Sequence, residues 1–433
     1  MNPYLKADEL TRRQFLSNAA KTYLGVHLFP MLGSSLASAA PTETAAKGGT
    51  AKNVIYLFMN GGMSHVDTFD PKPKKKDVMG KTEAIPSKVD DLMVGHYLPK
   101  TAAVMDQVCV INSMNSTQGA HEEGSYIMHT SYPMRGTIQH PSLGSWVMKL
   151  GGRIHSELPG FVAVDSSAEG TSGGFMGAKY SAALIGSPTA GLQDSTRASG
   201  VSPEDFERRL SLADKLNRDF HGKYANADVK AYEELYREAI ALMNSKDLKV
   251  FDIGQESPAT RELYGSGRFA QGCLLARRLV ENGVKFVEVQ LGGWDTHYDN
   301  FAGVEGRCKE FDQAYAALIT DLAKSGKLKD TLVVVATEFG RSPEIQANHR
   351  DGRDHHPGAF SCLLAGGGIK GGIKHGLTDA SGNKVKEGLV SVQDFNATIA
   401  YALGLPTDLV IMSPSKRPFQ IADKGKPVTT IFV

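Results

Sequence analysis

The chain has 433 residues, with 48 Lys and Arg against 47 Asp and Glu, and it is 41% hydrophobic and 22% charged, the make-up of an ordinary soluble globule. A formal charge of +1 leaves no basic excess to neutralise a phosphate backbone, which excludes non-specific nucleic-acid binding as the working reading. Its 46 glycines fall in short loops without a repeat, and Cys109, Cys273, Cys308 and Cys362 lie far apart with no C-x-x-C pair, so collagen-like chains, zinc ribbons, thioredoxin-type motifs and disulfide-dense scaffolds are excluded as well.

Residues 1–39 read as an export signal and not as fold. Thr11-Arg12-Arg13-Gln14-Phe15-Leu16 places two consecutive arginines before a weakly apolar stretch, and Ala37-Ser38-Ala39 supplies a small-residue cleavage pattern; the combination resembles a twin-arginine (Tat) signal peptide. Cleavage after Ala39 removes four cations and two anions, turning a net charge of +1 into −1. Residues 40–52 read as a flexible tether. The expected partner of the signal is the Tat export machinery, the expected location periplasmic or secreted, and no later apolar run is long enough for a transmembrane anchor.

The elements follow in order. Asn53-Val54-Ile55-Tyr56-Leu57-Phe58-Met59 is a continuous apolar run of the kind that fills a strand buried on both faces, and it stops at Asn60-Gly61-Gly62. Val108-Cys109-Val110-Ile111 predicts a second strand, leading into a helix over 119–129. Amphipathic helices are predicted over 203–220, opened by Ser202-Pro203, and over 228–243. A helix over 269–282 is followed by a strand over 284–290, a helix over 308–323, and strands over 331–336 and 360–365. Helix, strand and loop repeating in this way predict an α/β fold with a mostly parallel central sheet and helices on both faces. Residues 53–433 read as a single domain with a helical insertion around 200–265. Ligands of such sheets bind beyond the carboxyl ends of the strands.

Four Gly-rich loops after these apolar runs carry Asp, Glu or His: Asn60-Gly61-Gly62-Met63-Ser64-His65-Val66-Asp67, Gly293-Trp294-Asp295-Thr296-His297, Thr337-Glu338-Phe339-Gly340-Arg341 and Gly352-Arg353-Asp354-His355-His356-Pro357. Asp-x-His brings a hard oxygen and an imidazole nitrogen to one cation. A carboxylate and a second His from neighbouring loops complete a mixed set suited to zinc, manganese or iron more than calcium. Trp294 reads as packing. His121 and Ser125, one turn apart at the start of the helix after the second strand, point toward the same cleft. Lys72, Lys74, Lys75 and Lys76 read as a solvated loop. Gly366-Gly367-Gly368 lacks the spacing of a phosphate loop.

The motifs Gly61-Gly62-Met63-Ser64-His65-Val66-Asp67-Thr68-Phe69-Asp70-Pro71, Gly293-Trp294-Asp295-Thr296-His297, Thr337-Glu338-Phe339-Gly340-Arg341 and Gly352-Arg353-Asp354-His355, with the closing Val392-Gln393-Asp394-Phe395, resemble domain-of-unknown-function family 1501. That group of exported bacterial proteins is similar in architecture to the alkaline phosphatase and sulfatase superfamily. The resemblance implies an alkaline phosphatase-like three-layer fold and metal ligation by Asp295, His297, Glu338 and His355. His65, Asp67 and Asp354 stand as a possible additional site, and Arg341 or Arg353 as the fork that pairs with a tetrahedral anion. It implies a metal-dependent hydrolase of a sulfate or phosphate ester, small or polymer-borne.

Two departures stand against the superfamily pattern. Asn60 occupies the place of a metal-binding Asp, and the position of the nucleophilic hydroxyl falls near His121-Glu122, with no Cys-x-Pro-x-Arg motif. A metal-activated water is then an attacker on equal terms with a hydroxyl, and His121 becomes a general base or another ligand. The alternative is a binding or assembly protein that kept the fold and lost the chemistry.

Overall fold

The computed structural model describes residues 49–433 apart from 167, 193–194, 196–199, 224–239 and 244. The export signal, the tether up to residue 48 and most of the helix expected over 228–243 lie outside the described residues. Strands β1 (Asn53–Met59), β2 (Val108–Asn115), β3 (Phe161–Val164), β4 (Ala183–Ile185), β5 (Phe286–Leu291), β6 (Thr331–Ala336), β7 (Phe360–Ala365), β8 (Ile373–His375) and β9 (Val390–Ser391) form one sheet. Its order is β8-β2-β7-β6-β1-β5-β3-β4, with β9 also paired to β2.

β1 lies between β5 and β6, parallel to both, and all seven of its residues are buried. Alternation along the strand explains why. Ile55, Leu57 and Met59 face one apolar core, shared with α4 (Arg268–Glu281) and α5 (Asn300–Lys324). Val54, Tyr56 and Phe58 face the other, shared with α1 (His121–Thr130), α2 (Leu143–Gly151) and α6 (Val392–Ala402). A sheet between two helical layers buries both sets, which is why the run is apolar at every position instead of every second one.

The expectation of a mostly parallel sheet holds, with one strand reversed. β7 is antiparallel to both β2 and β6. The loop over 352–357 therefore precedes a strand, and it reaches the carboxyl edge of β1, β5 and β6 because β7 starts there. The same reversal carries Gly366-Gly367-Gly368 to the opposite edge. The register Met59↔Leu291 and Phe58↔Ala336 brings Asn60, Gly292 and Glu338 to one level, so three of the Gly-rich loops leave the sheet side by side.

Several boundaries shift. Residues 49–52, expected as tether, are tied down: Gly49 and Ala51 donate to the carbonyls of Tyr401 and Ala402 at the end of α6, and Lys52 donates to Asp330 O. The helix expected over 308–323 starts eight residues earlier at Asn300, because buried Phe301 and Val304 extend its apolar stripe through a stretch that Gly303 and Gly306 make look like loop. α3 (Pro203–Lys223) opens as expected, with Ser202 Oγ accepting from Asp205 N at 3.0 Å. All four cysteines are buried free thiols. Lys74, Lys75 and Lys76 are exposed, but Lys72 turns inward to Asp70 at 2.8 Å and Thr378 at 2.6 Å.

Candidate metal centre at the carboxyl edge of the sheet

Asp295, His297, His355 and His121 meet beyond the carboxyl ends of β1, β5 and β6. Asp295 is the hub. Its Oδ1 lies 3.3 Å from His297 Nε2 and 3.6 Å from His355 Nε2, and its Oδ2 lies 3.4 Å from His121 Nε2. The two imidazoles His297 and His355 face each other, Nε2 to Nε2, at 2.9 Å.

An oxygen stands behind each ring. His355 Nδ1 donates to Gly119 O at 2.7 Å, His121 Nδ1 donates to Glu338 Oε1 at 2.8 Å, and Asp354 Oδ1 lies 3.5 Å from His297 Nδ1. A carbonyl or carboxylate at Nδ1 places the proton there and leaves the neutral ring's Nε2 lone pair pointing into the cluster. Among the described residues His121 Nε2, a buried atom, has no hydrogen-bond partner.

Buried side chains hold the loops in place. Arg341 has no exposed side-chain surface; its guanidinium donates to Asp295 Oδ1 at 2.5 Å, to Gly62 O and Arg353 O at 3.1 Å each, and to Gly61 O. Burial pulls the Arg341 pKa down, although Asp295 opposes it. Burial also works against ionising Asp295, but the hydrogen bond and charge of Arg341 outweigh it and hold that carboxyl below its ordinary value. The Glu338 hydrogen bond, ahead of opposing burial, raises the pKa of His121, whereas burial lowers that of His355. Gly61 is required at its position: its φ is +118°, and a Cβ there would fall 2.5 Å from the Asp295 amide nitrogen.

The expected residues thus fall into three groups. Asp295, His297, His355 and Asp354 converge and could hold a cation, two sets of ligating atoms (His121, Asp295, His355 and His297, Asp354, His355) each lying within 4.8 Å of one another. Glu338 stands behind this set: Oε1 accepts from Gly61 N and His121 Nδ1, and Oε2 lies 3.2 Å from the Thr337 hydroxyl. His65 and Asp67 lie elsewhere. Asp67 and Arg353 form a pair with no exposed side-chain surface, Nε to Oδ2 at 2.8 Å, and Asp67 also accepts from Ser64, Thr82 and Asn300. Arg353 spends its remaining donors on the carbonyls of Ser342, Pro343 and Val78. Neither Arg341 nor Arg353 keeps a free fork for a substrate anion; both fasten loops. Trp294 is packed, 1% exposed.

The backing role of the Gly119 carbonyl and the support of Asp67 by Asn300 were not expected. Asn300 carries a signal in retrospect, four residues after Thr296 and bonded to it at 2.7 Å.

His65 is an orienting residue of a different kind. Its Nε2 donates to Gly382 O at 2.7 Å, and its ring stacks near His356. Burial drives its pKa from 6.5 to about 3. The unfolded chain therefore takes up the proton first: the stability tied to neutral His65 is complete above pH 6.5 and drains as pH falls toward about 3, at up to about 1.4 kcal/mol per pH unit. His65→Gln, which keeps a donor for Gly382, is expected to flatten the fall of the urea midpoint across that window; an unchanged slope contradicts the assignment.

Fold and site together define an α/β protein with a histidine–carboxylate cluster beyond the ends of its central parallel strands. The chain belongs to the family described as protein of unknown function DUF1501, whose profile matches residues 51–432. No curated protein matches it in sequence. Among solved structures it is similar to the lipoteichoic acid synthase LtaP of Listeria monocytogenes, at 10% identity over 89% of this chain and 78% of that one, with a TM-score of 0.41. It is similar also to a sulfatase from Pseudoalteromonas sp., at 14% identity over 87% and 73% with a TM-score of 0.38. A third is the TAB5 alkaline phosphatase, at 10% identity over 83% and 100% with a TM-score of 0.36.

Proposed function

We propose that the chain is an exported, metal-dependent hydrolase of phosphate or sulfate esters. The observation that carries the reading is the convergence of His297 Nε2, His355 Nε2 and Asp295 Oδ1, 2.9 to 3.6 Å apart, with an oxygen behind each ring. Donors so spaced fit the neighbouring ligands of one zinc- or manganese-sized cation at about 2.0–2.2 Å from each. Two imidazole lone pairs and a carboxylate held face to face repel one another unless a proton or a cation lies between them. A divalent cation bound there supplies Lewis acidity toward an ester oxygen. Asp295, His297 and His355 hold it, Asp354 and Gly119 O orient the rings, Arg341 anchors Asp295, and the His121–Glu338 pair stands beside the group as the reacting imidazole.

Among the described residues no helix is long and apolar enough to cross a membrane. The export part of the reading rests on Arg12-Arg13 and Ala37-Ser38-Ala39. Replacing both arginines by lysine is expected to leave the chain in the cytoplasm on fractionation; undiminished export overturns the twin-arginine assignment.

The hydrolytic part is tested on purified chain by metal analysis and by turnover of aryl phosphates and aryl sulfates with added zinc or manganese. About one equivalent of a divalent transition metal, and turnover abolished by chelator and restored by metal, is the expected result. Natively folded chain that takes up no metal, or metal-loaded chain that turns over neither ester class, overturns it in favour of a binding protein.

A further inference from the structure

We propose that His121 is the nucleophile of this site, attacking the phosphorus of a phosphate ester and carrying the phosphoryl group on Nε2 before water removes it. The inference rests on the hydrolase reading and adds the attacking atom and the ester class to it. His121 is the first residue of α1, directly after the loop that leaves β2 at the carboxyl edge of the sheet, and Ala120 before it contributes no side-chain cap. Its Nδ1 is tied at 2.8 Å to a Glu338 with no exposed side-chain surface, itself pinned by Gly61 N at 2.8 Å and Thr337. Among the described residues its Nε2 has no hydrogen-bond partner; it is buried and faces Asp295 Oδ2 at 3.4 Å, so a substrate reaches it once that half-exposed carboxylate turns aside. A carboxylate on Nδ1 orients the ring and pushes electron density to Nε2, as a nitrogen nucleophile requires.

Three hydroxyls around the cluster are committed elsewhere. Ser113 donates to Gly388 O at 2.5 Å, Ser64 to Asp67 at 2.5 Å and Thr337 to Met59 O at 2.9 Å. Ser116 and Ser125 are buried, and Thr117 is exposed beside Gln118. Among the described residues none of these six hydroxyls hydrogen-bonds an imidazole that would take its proton. A hydroxyl needs such a base, or a bound cation, to shed its proton before it attacks; an imidazole nitrogen with its proton on the far side needs neither.

In the first step the Nε2 lone pair forms an N–P bond while the P–O bond to the leaving group breaks; the leaving oxygen departs with the electron pair and takes a proton from water. The Nδ1 proton stays on the ring, whose positive charge the Glu338 carboxylate offsets. In the second step water oxygen attacks phosphorus, the N–P pair returns to Nε2, and phosphate leaves with the water's proton passing to solvent.

The test uses full-length chain loaded with manganese or zinc, p-nitrophenyl phosphate as substrate, an alkaline quench and peptide mass spectrometry. A phosphoryl increment on His121, stable in alkali and lost in acid, is expected. His121→Gln should keep wild-type metal content and far-UV circular dichroism, lose the increment and lose turnover about a thousandfold or more. In His121→Gly, added imidazole should restore substrate cleavage and appear as free N-phosphoimidazole.

Phosphate turnover without the increment, with product partition between water and methanol varying with the leaving group, overturns the nucleophile and leaves the hydrolase reading standing. Loss of metal in folded His121→Gln makes His121 a ligand and overturns it equally, as does turnover of aryl sulfate alone. Absence of all ester turnover overturns both readings.

Discussion

Asp295→Ala is expected to reduce bound metal to less than about a tenth of an equivalent and to lower ester turnover by about a thousandfold or more, while the chain stays folded. The direction follows from geometry. One carboxylate faces His297, His355 and His121 at 3.3, 3.6 and 3.4 Å, so removing it takes away an oxygen donor and the anion that offsets a cation among imidazoles. The same change deprives the Arg341 guanidinium of its counter-charge, but three carbonyl bonds from Arg341 remain and the Asp295 side chain is 48% exposed, so the structural cost is small beside the functional one. Asp354→Ala provides the graded comparison. That carboxylate is 58% exposed and reaches the outer side of His297 at 3.5 Å, and its loss should weaken metal affinity about 10- to 100-fold without emptying the site. Metal analysis after dialysis, with calorimetric titration of the stripped proteins, reads both. A full equivalent retained by Asp295→Ala removes this carboxylate from the ligand set.

The contrast between these two aspartates marks how far the sequence carries. β1, β6 and β7 begin and end where their apolar runs do, because a strand covered on both faces must be apolar throughout and the polar turn residues bracket it sharply. The convergence of Asp295, His297 and His355 was legible for a related reason: parallel strands ending at one level deliver their loops to one place. Direction was not legible. The run over 360–365 has no feature that tells parallel from antiparallel, although the reversal of β7 is what brings His355 to the cluster from the loop before the strand. Nor does sequence say which of two loop carboxylates faces the cavity. Glu338 and Asp295 follow the two strands that flank β1, in similar Gly-rich loops, yet Glu338 turns inward to Gly61 N, Thr337 and His121 while Asp295 turns out to the three Nε2 atoms. Burial decides that, and burial depends on chain packed from elsewhere. Arg353 and Asp67 are the sharpest instance: both read as ligand-handling residues in polar loops, and both are sealed against each other.

That pair carries the largest expected loss of stability. Arg353→Met leaves the Asp67 carboxylate buried with the hydroxyls of Ser64 and Thr82 and the Asn300 amide but without a cation, and also strands the carbonyls of Ser342, Pro343 and Val78. Breaking a fully buried pair from one side costs about 3–5 kcal/mol, because the remaining charge has lost both water and partner. The urea midpoint should fall accordingly, with the slope of the transition unchanged. Asp67→Asn with Arg353→Met removes both charges at once and should recover part of the loss, a coupling that a merely steric role for Arg353 would not produce. The effect should reach the metal centre as well. Arg353 N is bonded to Thr296 O, and Ser342 N to Asp354 O, so the backbone on either side of the ligand loops is joined at the residues that the Arg353 side chain anchors. Arg353→Met should therefore weaken metal binding even under conditions where the chain remains folded, and the double variant should restore affinity less than it restores stability, because removing the charges relieves the electrostatic penalty but does not rebuild the guanidinium's bonds to the Ser342–Pro343 turn.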